Sequence, residues 1–118
     1  MENFQVHLEL DGAIATLKMN GDLTHTAEQR LINAYDKCAT PKTKHIVLDF
    51  SQVEYINSAG MSIIISMLTR AQEIQQEIRA CGLSPHFQKI FNMVGLSKYI
   101  MHFENLQDAL QGLHAQKA

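Results

Sequence analysis

The run Ile56-Asn57-Ser58-Ala59-Gly60-Met61 sets a serine between an apolar strand-like stretch and an apolar helix-like stretch. Three kinds of chemistry suit a hydroxyl in that place. It can cap the helix, its oxygen accepting a free backbone N–H of the first turn. It can act as the nucleophile of a G-x-S-x-G elbow on a hydrolase sheet. Gly60 fits the position two after the serine, but Ile56 stands where the sharp turn wants glycine. It can also accept a phosphate, which brings roughly −1.5 to −2 charges at neutral pH. At a helix N-terminus that charge meets the positive end of the macrodipole, a gain of about 0.3–1 kcal/mol. The domain would stay folded while a neutral surface hydroxyl became a bulky dianion. A partner pocket shaped for the hydroxyl must then desolvate a charge, and losing ~3 kcal/mol weakens binding roughly 100-fold or more. Spacing alone leaves the cap and the acceptor both open.

The other chemistry-bearing residues are scattered. His7, His25, His45, His86, His102 and His114 include no pair at i, i+3 or i, i+4, and neither H-E-x-x-H nor a Cys/His cluster is present. Surface or strand-end histidines are expected, with no metal. Asp22, Asp49 and Glu54 could gather at one end of a sheet, though solvated loop carboxylates explain them equally well. The phosphate-cradling G-x-x-x-x-G-K-[ST] and the dinucleotide G-x-G-x-x-G are missing, so no cofactor is expected. Met19, Met61, Met67, Met93 and Met101 lie in apolar stripes and read as core fillers. Cys38 and Cys81 are far apart and outside any C-x-x-C pair, which reads as two reduced thiols in a cytosolic protein.

The elements that must hold Ser58 follow from periodicity. Phe4, Val6, Leu8 and Leu10 alternate with Gln5, His7 and Glu9, the pattern of a half-buried strand. Asp11-Gly12 signals a two-residue hairpin turn, and Ala13 to Met19 returns as a second strand ending at an Asn20-Gly21 turn. Ala27, Leu31, Ala34, Tyr35 and Cys38 mark an amphipathic helix. Thr24 and Thr26 are its candidate caps, Gln29 sits at capping-box spacing, and Thr40-Pro41 stops it. His45 to Phe50 reads as a strand covered on both faces, followed by a short polar link from Ser51 to Asn57.

A long helix then buries Met61, Ile64, Ile65, Leu68, Ala71 and Ile74, and turns Ser62, Ser66, Thr69, Arg70 and Glu73 outward. Ile78 to Leu83 is another strand, and Ser84-Pro85 caps a helix carrying Phe87, Ile90, Phe91 and Val94 that stops near Gly95. Tyr99 to Phe103 is a last strand, and Asn105 caps a last helix with Leu106, Ala109, Leu110 and Leu113. The order β-β-α-β-α-β-α-β-α predicts an α/β fold: a mixed sheet with an N-terminal antiparallel hairpin, then βα units and four helices.

Composition narrows the function classes. At 118 residues and 13.3 kDa, residues 1–118 should form a single domain. The 46% apolar and 19% charged fractions exclude a disordered chain. Ten basic against twelve acidic residues, 7% aromatics and no Trp argue against direct nucleic-acid binding. No stretch approaches the ~18 apolar residues of a membrane span. Met1-Glu2-Asn3-Phe4 lacks the basic flank and apolar run of a signal peptide, so the expected compartment is the cytoplasm.

The segment Ile46-Val47-Leu48-Asp49-Phe50-Ser51-Gln52-Val53-Glu54-Tyr55-Ile56-Asn57-Ser58-Ala59-Gly60-Met61 resembles the STAS domain of bacterial anti-sigma factor antagonists. The likeness extends to Gly21-Asp22-Leu23-Thr24, Cys81-Gly82-Leu83-Ser84-Pro85 and Ile90-Phe91-Asn92-Met93-Val94-Gly95-Leu96. It implies a STAS fold and a non-catalytic role as a phosphorylation-controlled binding module, with Ser58 as the phosphorylation site. Unphosphorylated domain would bind an anti-sigma factor that is also an ATP-dependent serine kinase, and a PP2C-type phosphatase would reset the cycle. ATP and metal would belong to those partners. The implied contact surface comprises Asp22, Thr24, Asn57, Ser58, Ala59, Ser62 and Ser66.

Asn57 stands where many members carry aspartate, Thr24 where an acidic residue is common, and Gln75-Gln76 in place of a frequent glycine pair. The alternatives are a STAS scaffold or regulatory subunit with Ser58 only a cap, and a small serine hydrolase. Such a subunit could serve a stress-signalling assembly, biofilm or cyclic-dinucleotide control, or a lipid transporter. Self-association stays open.

Overall fold

The computed structural model describes residues 3–113; Met1 and Glu2 of the amino terminus and His114 lie outside the described residues. The strands are β1 (Gln5–Asp11), β2 (Ile14–Leu23), β3 (His45–Ile56), β4 (Glu77–Cys81) and β5 (Ile100–Phe103). The helices are α1 (Glu28–Asp36), α2 (Ser58–Glu73), α3 (Pro85–Met93) and α4 (Leu106–Leu110). Single 3-10 turns, His25–Ala27 and Leu96–Lys98, lead into α1 and β5. The sheet runs β1-β2-β3-β4-β5, with β1 antiparallel to β2 and every other pair parallel. This is the expected mixed α/β architecture.

The opening hairpin keeps the expected alternation: Gln5, His7 and Glu9 are exposed while Val6 and Leu8 pack on the core. Leu10, at the hairpin end beyond the covered part of the sheet, is 58% exposed. Asp11 pairs with Ile14, so the turn is Gly12-Ala13, one residue later than expected. Gly12 has φ 59° and Ala13 does not share the positive φ. That pattern suits a turn with glycine at its first central position.

Asn20-Gly21 is not a turn. β2 continues to Leu23 through bulges at Lys18/Asn20 and Gly21/Asp22, because it pairs with β3 from Ile14 opposite His45 to Leu23 opposite Ile56. A Cβ on Gly21 would come within 1.9 Å of the Asn3 carbonyl oxygen. The glycine serves a close backbone approach. The expected polar link after Phe50 is likewise strand up to Ile56. β4 stops at Cys81, opposite Asp49, so Ser51–Ile56 has only β2 as a neighbour. It is polar because it projects beyond the covered sheet.

One sheet face carries α1, α2 and α3. Leu17, Leu48, Ile46, Tyr35, Leu31, Ile64, Met67 and Phe91 form its core, and Phe50 meets Phe91 edge-on at 5.8 Å. The other face holds a smaller cluster of Ile14, Val47, Cys81 and Ala109 beneath α4. The Arg79 guanidinium fixes α4 by donating to the carbonyls of Ala109 (3.1 Å) and Gln111 (3.3 Å) while lying over the Phe103 ring.

Helix α2 buries Gly60, Ile63, Ile64, Met67, Leu68 and Ala71, the i, i+3, i+4 stripe counted from Gly60, together with Met61. Ile65, expected inside, falls off that stripe and is 43% exposed; Ile74, also expected inside, comes just after the helix ends at Glu73 and is 44% exposed.

The end of α1 explains a polar residue in the core. α1 stops at Asp36, short of Thr40-Pro41. Buried Gln76 donates from Nε2 to the carbonyls of Cys38 (2.7 Å) and Thr43 (3.1 Å), and its Oε1 accepts from the Tyr35 hydroxyl at 2.8 Å. Backbone oxygens freed beyond the helix are thereby satisfied. Gln75 before it takes φ 61°, closing the turn after α2. Both cysteines are buried and free, and burial pushes the Cys38 thiol up to about 11 and Cys81 up to about 12.

Candidate functional site

β3 delivers Ile56 to the end of the sheet, and the chain turns into α2 at Asn57. Asn57 is the cap. Its backbone is extended (φ −105°, ψ −175°) and its Oδ1 accepts the Gly60 N–H at 2.9 Å. Ser58, weighed from sequence as a cap, is instead the first helical residue. Its side chain is exposed, and among the described residues the hydroxyl has no hydrogen-bond partner. Its carbonyl accepts from the Ser62 hydroxyl at 3.1 Å. The amides of Ser58 and Ala59 have no acceptor among the described residues, so unpaired donors surround the free hydroxyl.

Two close contacts fix this turn in place. The Asn57 N–H donates to the Leu23 carbonyl at 3.3 Å. A Cβ added to Gly60 would sit 2.0 Å from the same oxygen, so only glycine lets α2 approach the end of β2 this closely. The helix start is therefore registered against the strand that carries Asp22.

The residues singled out from sequence divide into groups. Asp22 lies opposite Tyr55 on the projecting β2–β3 ribbon and accepts from the Asn3 side chain at 3.0 Å. Thr24 occupies the N-cap position of the His25–Ala27 turn, but its hydroxyl bonds the Thr26 hydroxyl at 3.1 Å and makes no capping bond. Gln29 bonds Asn33 at 3.1 Å and closes no capping box. Ala59, Ser62 and Ser66 line one wall of a groove of about 400 Å³ between α1 and α2. The opposite wall, formed by His25, Glu28 and Ile32, was not singled out, nor was Arg70 at the groove's end. Arg70 bonds Asp36 at 2.8 Å and lies over the Tyr35 ring at 4.9 Å. The helical spacing of Ser62, Ser66 and Arg70 could have suggested one wall. The other depends on α1 packing beside α2.

The three carboxylates do not assemble. Asp22 is opposite Tyr55, whereas Asp49 is opposite Lys18 and takes the Ser51 hydroxyl at 2.8 Å. Four strand positions of β2 separate these levels, about 13 Å. Among the described residues no three His, Cys, Asp or Glu side chains gather where they could hold a metal ion. No histidine or carboxylate among them hydrogen-bonds Ser58, and Ile56 precedes it without the elbow's glycine. The chemistry available is that of an exposed hydroxyl on a helix N-terminus beside a groove.

The family model for the STAS domain matches residues 5–109. The chain belongs to the STAS domain family. This STAS domain is 22% identical over 112 residues to the anti-sigma F factor antagonist of Paenibacillus polymyxa, covering 94% of this chain and 96% of that protein. Its fold matches the solved structure of the anti-sigma factor antagonist SpoIIAA in its unphosphorylated form. That match has a TM-score of 0.75 and 17% identity, over 90% of this chain and 93% of the other. The Bacillus cell fate determinant SpoIIAA in the phosphorylated form gives 0.76 at 16% identity, over 93% and 100% of the two chains. At such identities the structures speak to the fold of the STAS domain alone. No helix among its described residues is long and apolar enough to cross a membrane.

Proposed function

We propose that this STAS domain is an anti-sigma factor antagonist whose binding is switched by phosphorylation of Ser58. In the unphosphorylated state the Ser58 end, with Asp22, Thr24, Asn57, Ala59, Ser62 and Ser66, docks on a cytoplasmic anti-sigma factor that is also a serine kinase. That docking releases a sigma factor. The kinase transfers the γ-phosphoryl of ATP to Ser58 Oγ: the Oγ–P bond forms, the bond to the ADP oxygen breaks, and the hydroxyl proton is lost. A PP2C-type phosphatase hydrolyses the ester and restores the hydroxyl. The catalytic groups, ATP and metal belong to those partners.

The observation carrying this reading is the division of labour at the start of α2. Asn57 takes the capping role, so the Ser58 hydroxyl is exposed and uncommitted. A phosphate there meets the positive end of α2 and its free amides, so the fold tolerates the charge. A partner pocket that held the neutral hydroxyl does not. The name of the Paenibacillus relative supports the same role.

The test pairs the chain with its cognate kinase and labelled ATP. Wild type incorporates phosphate, Ser58→Ala does not, and Ser58→Asp binds the kinase more weakly. Tight binding by Ser58→Asp would sink the switch.

A further inference from the structure

We infer that strand β1 is a docking edge for an acidic, extended segment of a partner protein, which adds to the sheet in the groove between β1 and α1. The inference is independent of the role proposed for Ser58. This groove lies on the β1 side of α1, whereas Ala59, Ser62 and Ser66 line the groove on the α2 side.

β1 is the first strand of the sheet, and among the described residues it pairs only with β2. Its seven residues, Gln5–Asp11, hold one register with no bulge and no proline, two of the devices that blunt a free edge. The hairpin decides which main-chain groups face outward. Asp11 and Ile14 flank a two-residue turn, whose closing bond runs from the first carbonyl to the fourth N–H. Hydrogen-bonded pairs then recur at every second residue, at Glu9 with Thr16 and His7 with Lys18. The Ala13 carbonyl, next to Ile14, accordingly faces β3 and takes the amides of Lys44 and His45 at 2.8 and 3.0 Å. Val6 and Leu8, between the bonded pairs, turn their N–H and C=O groups to the free edge.

That edge has a charged wall. A groove of about 600 Å³ is lined by β1 from Gln5 to Leu8 and, across from it, by Arg30, Asn33, Ala34 and Lys37. The latter four are spaced i, i+3, i+4, i+7 and so share one helical face. Asn33 uses its Oδ1 to accept from Gln29 at 3.1 Å, which leaves its amino group to offer. The wall thus presents N–H donors, two of them cationic, and no carboxylate among the described residues lines it. The acidic residues of α1 lie on its other flank: Glu28 lines the α1–α2 groove, and Asp36 bonds Arg70 of α2 at 2.8 Å. The helix is divided lengthwise by charge, in a chain whose net charge is −2.

The two walls together specify the occupant. Outward N–H and C=O groups at strand spacing are satisfied by another extended main chain, the arrangement of strand addition beside a helix. Arg30 and Lys37 lie about 10 Å apart along the helix. Side chains on one face of a strand recur about every 7 Å, so carboxylates at alternate positions reach both cations. A second copy offering the same strand would set its own Arg30 and Lys37 near these and repel. The partner is therefore an acidic segment of a different protein.

The probe is a fluorescent eight-residue peptide of alternating valine and glutamate, titrated with the full chain and read by anisotropy. It should bind with a dissociation constant of about 100 µM or tighter, weakening at least tenfold as salt rises from about 0.05 to about 0.5 M. The valine–glutamine peptide should bind at least tenfold more weakly. So should the acidic peptide N-methylated at alternate residues, which keeps its charge and loses its edge bonds. Arg30→Gln and Lys37→Gln, both at exposed positions, should each weaken binding about tenfold with an unchanged circular dichroism spectrum. In the amide spectrum of 15N-labelled chain, Val6 and Leu8 should shift on binding while Ser62 and Ser66 stay in place. No binding at about 1 mM peptide overturns the inference, as does equal binding of the methylated or neutral peptide. Tighter binding of a short oligothymidylate, or shifts confined to α2, overturns it too. The peptide comparisons on wild type decide the matter if a variant fails to fold.

Discussion

The Asn57 carboxamide oxygen accepts the Gly60 N–H at 2.9 Å, and that single bond frees the serine between them. A side chain that caps is committed to the backbone behind it. Here the commitment falls one residue earlier, so the hydroxyl that follows is available to whatever approaches the helix end.

Replacing each residue in turn separates the two roles. Asn57→Ala should cost about 1 kcal/mol in urea unfolding, the usual value of a lost N-cap. Asn57→Asp should keep the cap and gain a few tenths of a kcal/mol from negative charge at the helix start. Ser58→Ala should change stability by less than about 0.5 kcal/mol, since its hydroxyl has no hydrogen-bond partner among the described residues. Equal costs for Asn57→Ala and Ser58→Ala would mean that both side chains cap.

Gly60→Ala inverts the ordinary helix rule. Alanine in a helix interior normally gains up to about 1 kcal/mol over glycine. At this position the new methyl would meet the Leu23 carbonyl oxygen at 2.0 Å, backbone that cannot swing away. The variant should lose about 1–3 kcal/mol in chemical denaturation. A stabilised variant would show that α2 does not seat against β2 as described.

Gln76→Leu should be costly although leucine is more hydrophobic. It strands the Tyr35 hydroxyl and the Cys38 and Thr43 carbonyls in a buried site. A loss of about 2 kcal/mol or more is expected, because each orphaned polar group carries roughly 1–3 kcal/mol. Thermal unfolding followed by circular dichroism would register it as a drop in Tm of several degrees, on the order of 4–8 °C per kcal/mol.

His102 links stability to pH. Its Nε2 accepts the Leu83 N–H at 3.1 Å, and burial holds the ring below its ordinary value of 6.5, against a smaller opposing pull from Glu104. The unfolded chain binds the proton first as pH falls. Stability from this group is thus complete above pH 6.5 and declines as pH drops through the folded value. His102→Gln retains an acceptor without a titration, so its urea midpoint should fall less than wild type between pH 7.5 and 5.5. Equal slopes would remove His102 as the cause.

The order of elements was legible because each announces itself locally. The β1 alternation, the Ser84-Pro85 start of α3 and the Asn105 cap of α4 all need only neighbours in sequence. What was not legible depends on distant contacts. Asn20-Gly21 resembles a turn until β3 arrives to pair with it. Ser51–Tyr55 resembles a linker because its polarity reflects the early stop of β4. Ile65 resembles core because five of the six residues Ile63 to Leu68 are apolar, all but Ser66, which hides which stripe faces inward. At the site, the sequence placed Ser58 at the start of the long helix, the capping bond falls one residue earlier on Asn57, and the α1 wall of the groove was missed.

The overhanging ribbon has a bearing on how such domains diversify. Gln52, Glu54 and Tyr55 stand clear of the hydrophobic interior on the strand that leads into α2. Substitutions there redraw the rim near the exposed serine while the packed layers beneath keep their shape. Duplicate genes thus have a route to distinct binding surfaces by editing a few solvent-facing positions, with little penalty in folding.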